Sequence, residues 1–214
     1  MSRSIPAITE EQMREVDRIM TEDLGIGLMQ MMENAGRNLA GLALRRFHPV
    51  SAIVLAGPGG NGGGGLAAAR HLANRGVDVQ VVLSRPTEEF AGVPGHQLAI
   101  LEKMQVPVMP GAVAEADLIV DALIGYSLRG DPRGQTRDLI EWANAAEAPV
   151  LSLDTPSGLN VTTGIAATPC VRAAATMTLA LPKTGLPNAP QVGELWLADI
   201  SVPPSVYRAF GFEV

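Results

Sequence analysis

The sequence predicts a three-layer α/β fold, with a doubly wound, mostly parallel sheet preceded by an N-terminal helical segment. Three observations carry that prediction. Short apolar runs rich in β-branched residues alternate with helical stretches along most of the chain. The runs have the character of strands buried on both faces and joined by crossover helices, which is the pattern of a parallel sheet. The chain of 214 residues, 47% hydrophobic and 18% charged, is long enough to bury the core of one large domain, taken here as 1–214.

Each element follows from its local pattern. Residues 9–47 read as two or three helices, the first opened by Thr9 and Gln12 with the spacing of a capping box. The methionines at 29, 31 and 32 are read as core filler. "SAIVLA" at 51–56 is a strand, "GLAAARHLANRG" at 65–76 a helix ending on glycine, and "VDVQVVL" at 77–83 the next strand, which together make a βαβ unit. Further strands are expected within 116–125, 148–154, 175–181 and 193–200, with a helix over 135–146. The arrangement expected is Rossmann-like.

Composition removes several classes of function. No apolar run reaches the roughly 18 residues of a membrane span, and the N-terminus is charged and helical in character, without a signal-peptide core. A cytoplasmic protein without membrane contact is expected. The single cysteine, Cys170, excludes an internal disulfide and a cysteine-based zinc cluster, and His48, His71 and His96 have no ligand spacing. Net charge is −6 with no basic cluster, so nucleic acid is not an expected partner. An anionic small molecule would have to be held by backbone N–H groups more than by lysines.

"GPGGNGGGG" at 57–65 has seven glycines in nine positions and joins the first strand to the first crossover helix, where an open α/β sheet binds ligands. Glycines there let backbone N–H groups and a helix N-terminus approach an anion such as a pyrophosphate. The pattern GxGxxG fits twice, at 57/59/62 and 60/62/65, so it fixes no register. It also lacks its usual company: "LSRP" follows the second strand where a dehydrogenase has an acid, and Leu66 stands where a P-loop has lysine. Three later polar residues, Asp121, Asp154 and Ser157, fall at or just after the ends of apolar runs, so Asn61, Asp121 and Asp154 are candidates to converge on one crevice. Taken singly, each aspartate is as readily a cap or turn residue.

At these residues the chain resembles a known family. "MMENAG", "GPGGNGGGG", "DALIGYSLRG", "LDTPSGLN" and "LALPKTGL" occur in the order of the family patterns MENAG, GPGNNGGDG, DALFGTGL, DIPSGLD and APKPG. The family is the YjeF N-terminal domain, the NAD(P)H-hydrate epimerases, and the resemblance runs from about residue 9 to 203. It implies an isomerase that interconverts the R and S forms of hydrated NADH or NADPH, often as a homodimer, in partnership with a separate NAD(P)H-hydrate dehydratase. One potassium ion per subunit, held by Asn61, Asp121 and Ser157, is also implied, and oxygen ligands suit such an ion. By the same resemblance the dinucleotide lies along Gly60, Asn61, Gly62, Gly63 and Gly64 on one side. On the other it follows Gly125, Tyr126, Ser127, Leu128, Arg129, Gly130 and Asp131. Asp154 sits at the hydrated ring as acid and base.

The chain departs from the patterns at Gly60, Gly64, Tyr126, Ser127 and Asn160, where the family has Asn, Asp, Thr, Gly and Asp. The departures motivate an alternative, a non-catalytic nucleotide-binding or protein-interaction relative. Retention of Asn61, Asp121, Asp154 and Ser157 favours catalysis. A dehydrogenase is disfavoured by the missing ribose-binding acid. Arg85, after the second strand, is where a conventional dinucleotide fold would meet a 2′-phosphate, a placement the family need not share.

Overall fold

The computed structural model describes residues 5–111 and 115–212, so the first four residues of the N-terminal stretch lie outside it. The chain enters through α1 (Glu10–Arg18), a π-helical turn at Ile19–Asp23, and α2 (Leu28–Arg46). The capping box at the start of α1 is formed: Thr9 Oγ1 accepts from the Gln12 backbone N–H at 3.2 Å, and Gln12 Oε1 accepts from the Thr9 N–H at 2.9 Å. Then come β1 (Ser51–Ala56), α3 (Gly60–Ala73), β2 (Asp78–Leu83), α4 (Gly92–Lys103), β3 (Val108–Pro110) and β4 (Leu118–Ala122). They are followed by α5 (Gly134–Ala145), β5 (Val150–Leu153), β6 (Ala175–Leu179), β7 (Glu194–Ala198) and α6 (Pro204–Ala209).

The strands form one seven-stranded sheet in the order β3-β2-β1-β4-β5-β6-β7, and every pair is parallel. Alternation along β1 divides the core between two faces. Ala52, Val54 and Ala56 cluster with Leu39 of α2 and Leu66 of α3, while Ile53 and Leu55 cluster with Leu139 and Ile140 of α5. Helices therefore cover both faces, which is the doubly wound, three-layer arrangement. The strand order reverses between β1 and β4, the point in such a sheet at which a ligand crevice forms beyond the carboxyl ends of the strands.

Two differences from the sequence reading have local causes. The helix expected at 65–76 starts at Gly60, so most of the glycine run is helix and not loop. A Cβ on Gly62 would stand 1.7 Å from the Gly57 carbonyl oxygen, and one on Gly65 would stand 2.4 Å from Ala122 Cβ. The bare backbone lets α3 turn back onto the end of β1 and sit directly on β4. Elsewhere, α4 and β3 escape periodicity: α4 opens on "GVPG", with Pro94 accommodated in the first helical turn, and β3 has three residues ending in Pro110 at the sheet edge.

Candidate active site

The crevice holds a cavity of about 480 Å³. One wall is Met13, Arg14 and Asp17 of α1 with Met31 and Met32 of α2. Gly59, Gly60 and Asn61 at the start of α3, Leu123 to Ser127 after β4, and Asp154 and Lys183 complete the lining. Met31 and Met32, read as core filler, are buried and also line the cavity.

Asp154 follows β5 directly and holds φ at 65°, a region that aspartate tolerates better than most residues. Its N–H donates to the Met177 carbonyl at 2.7 Å, which locks it to the neighbouring β6. The carboxylate makes its bonds through Oδ1, which accepts from the Leu179 N–H at 3.2 Å and forms an ion pair with Lys183 Nζ. Lys183 Nζ also donates to the Leu179 carbonyl at 2.9 Å and to Thr178 Oγ1 at 3.3 Å. The two side chains of the pair are 0% and 5% exposed. Among the described residues nothing bonds Asp154 Oδ2, so this oxygen is the one left for a ligand.

Asp121 and Ser157 lie behind this cavity and not on its lining. Asp121 belongs to β4, on the face covered by α5, and is fully buried. Its Oδ1 accepts from Ser157 Oγ at 2.5 Å and from the Leu123 N–H at 3.3 Å; its Oδ2 accepts from Ser152 Oγ and the Ser157 N–H, both at 2.8 Å. Ser157 Oγ in turn accepts from the Ile124 N–H at 2.9 Å, fixing the turn after β4. Burial pushes the Asp121 carboxyl above the usual range, opposed by the hydrogen bonds from Ser157, Ser152 and Leu123. No cationic side chain among the described residues pairs with it. Asn61 packs against Gly125, beside Ile124, and its Nδ2 is buried without a hydrogen-bond partner.

The structure brings together Gly60, Asn61, Gly64, Gly125, Tyr126, Ser127 and Asp154 on one cavity. Gly62 and Gly63 face the protein interior instead. Leu128, Arg129, Gly130 and Asp131 run on from the rim outside the lining, and Asp131 Oδ1 accepts from the Thr168 N–H at 2.9 Å. Arg85 is exposed and also outside the lining. Tyr126 reaches across to α1, where its hydroxyl donates to Asp17 Oδ2 at 2.5 Å while the Arg14 guanidinium lies 5.4 Å from its ring centre. Burial raises the Asp17 carboxyl; the Tyr126 bond, Lys183 and Arg14 oppose that shift and the Asp154 charge adds to it. Cys170 lies outside the cavity lining, and burial pushes its thiol up to about 12, far from a nucleophile's range.

The family model described as "YjeF-related protein N-terminus" matches residues 28–185. The chain belongs to this family. Among the proteins similar to this YjeF N-terminal chain, one from Dehalogenimonas lykanthroporepellens, named NAD(P)H-hydrate epimerase, is 46% identical over 99% of this chain and 88% of its own length. A protein of the same name from Truepera radiovictrix is 39% identical over 94% of this chain and 93% of its own. A bifunctional NAD(P)H-hydrate repair enzyme from Salinibacter ruber is 35% identical, and there the chain spans 42% of the relative's length. A crystal structure of a yeast protein superposes with a TM-score of 0.85 at 25% identity, covering 98% of this chain and 95% of that one.

Two polar groups of this YjeF N-terminal cavity escaped sequence reasoning. Lys183 lies within a family-like motif, yet only the adjacency of β5 and β6 delivers it to Asp154, 29 positions away in the chain. Asp17 sits on α1, ahead of the matched residues 28–185. The available signal was one turn of helix: Met13 and Val16 are the buried apolar residues of α1, and Asp17 is adjacent on that side.

Proposed function

We propose that the protein interconverts the R and S epimers of hydrated NADH and NADPH at C6 of the nicotinamide ring, as an isomerase of nicotinamide cofactor repair. The observation that carries this reading is the carboxylate of Asp154, anchored through one oxygen by a buried lysine with its other oxygen left to the cavity. Such a group can hold or release a proton at a fixed point. Epimerisation requires protonation of the departing C6 hydroxyl, an electron push from the ring nitrogen, and removal of a proton from water returning on the other face. No redox change occurs, and neither a thiol nor an imidazole lines the cavity among the described residues. The names of the full-length relatives support the same activity. Lys183 acts here as a positioning residue that keeps Asp154 Oδ1 occupied and Oδ2 directed to substrate. The glycine-rich start of α3 and the turn at 125–127 offer backbone N–H groups to the dinucleotide. The bifunctional relative supports a functional partner, a separate NAD(P)H-hydrate dehydratase, acting on the same nucleotides. A proton NMR time course of R-NADHX with catalytic amounts of protein is the test: S-NADHX accumulates faster than it does spontaneously, and an unchanged rate overturns the reading.

A potassium ion held by Asn61, Asp121 and Ser157 is part of the proposal. The residues fit: a buried carboxylate without a cationic partner, a hydroxyl on it, a side-chain amide that carries an oxygen, and no cluster of three metal-binding His, Cys, Asp or Glu among the described residues. When bound, the ion supplies positive charge to Asp121 and ties the start of α3 to the turn after β4. The expected result is a rise in melting temperature on exchanging sodium for potassium, absent in Asp121→Asn. Indifference of the wild-type protein to potassium removes the site.

A further inference from the structure

We propose, resting on the epimerase reading, that Asp17 is the second catalytic residue, a general acid and base delivered by α1 to act on the ring face opposite Asp154, with Tyr126 as its positioning residue. The reaction itself asks for two groups. The hydroxyl leaves one face of the ring and water returns on the other, so a single fixed carboxylate serves only one of the two proton transfers at close range. Two carboxylates line this cavity, and they come from different walls: Asp154 from the end of β5 and Asp17 from α1. Their partners differ: a buried ammonium for Asp154 and a phenol for Asp17. Asp154 forms a buried ion pair with Lys183, whereas no cation forms an ion pair with Asp17 among the described residues.

Asp17 is held by the 2.5 Å bond that its Oδ2 accepts from the Tyr126 hydroxyl, and nothing among the described residues bonds Oδ1. The groups around it are Arg14 on its own helix, Tyr126 on the turn after β4, and Asp154 with Lys183; burial dominates and keeps the proton on Asp17 to higher pH than usual. Arg14 is engaged by Glu10 at 2.7 Å and is half exposed, so its charge offsets the burial of the carboxylate only in part.

In one direction Asp17 Oδ1 gives its proton to the C6 hydroxyl, and the C6–O bond breaks with its electron pair leaving as water. The ring nitrogen lone pair stabilises the resulting cation. A second water forms the new C6–O bond from the other face and passes a proton to Asp154 Oδ2. In the opposite direction Asp154 is the acid and Asp17 the base, and exchange with solvent resets the pair. One proton is given, one is taken, and no electrons are transferred to any cofactor.

The test compares wild type, Asp17→Asn and Tyr126→Phe in epimerisation of R-NADHX across pH, with thermal melts of each. Asp17→Asn is expected to lower kcat roughly 10²- to 10⁴-fold and to abolish the alkaline fall of kcat/KM, which arises as Asp17 loses its proton. Tyr126→Phe retains that limb but moves its midpoint upward, since the bond that favours the charged carboxylate is gone, and costs roughly tenfold in rate. A merely structural role for Asp17 moves the melt and leaves the shape of the pH profile. Wild-type turnover with an Asp17→Asn variant that keeps its rate or its alkaline limb overturns this assignment alone; absence of turnover in wild type overturns the epimerase reading, and this assignment with it.

Discussion

Asp154→Asn lowers kcat for epimerisation by about 10²- to 10⁴-fold, the range a positioned proton-transfer group contributes. Asparagine is the informative replacement, because φ at this position is 65° and asparagine enters that region as readily as aspartate does. The amide keeps the shape and still accepts from the Leu179 N–H and from Lys183, while the titrating group is gone. Nucleotide affinity changes little, since the walls of the cavity are untouched. The check is single-turnover epimerisation monitored by NMR, with binding measured separately by calorimetry. A variant that turns over at the wild-type rate removes Asp154 from the mechanism.

Lys183→Met destabilises the protein by about 3 to 5 kcal/mol, because it leaves the Asp154 carboxylate buried without its cation. Solvent screening gives little relief, with side chains 0% and 5% exposed. For a domain of this size about 2 to 4 °C of melting temperature goes with each kcal/mol, so a fall of roughly 6 to 20 °C is expected. Adding Asp154→Asn to Lys183→Met recovers part of that loss, since no uncompensated charge is then left in the interior. Denaturant titration of wild type, both single variants and the double variant measures the coupling. Additive effects show that the two side chains do not depend on one another. Activity stays at or below the reduced level of Asp154→Asn in the double variant whatever its stability, which separates the structural part of the pair from the chemical part.

The strands of the sheet were legible wherever they are buried on both faces, because an apolar run bounded by turn residues has few other interpretations; β1 matches its expected limits. The edge strand β3 was not, since three residues ending in proline carry no periodicity. Asp154 was legible because carboxylates after apolar runs collect at the carboxyl edge of a parallel sheet. Its partner Lys183 was not legible as such, because the contact is made by strand adjacency across distant parts of the chain. Asp17 is harder still: its meaning depends on the angle at which α1 crosses the crevice, which no local pattern encodes. The glycine run was read for its ligand alone, whereas Gly62 and Gly65 answer first to Gly57 and Ala122.

That bare start of α3 has an energetic side. Gly60 and Gly62 to Gly65 occupy helical positions at which each glycine is about 1 kcal/mol less favourable than alanine. These turns have almost no helical tendency of their own and exist because neighbouring elements press on them. Intrinsic tendency alone predicts that they open more readily than the alanine-rich turns that follow, which amide hydrogen exchange measures. A molecule seated on Gly60 and Gly64 closes those openings, and some of its binding free energy is consumed in ordering the backbone beneath it. Amide exchange at 62–65 thereby becomes an internal gauge of cavity occupancy, readable without any turnover at all.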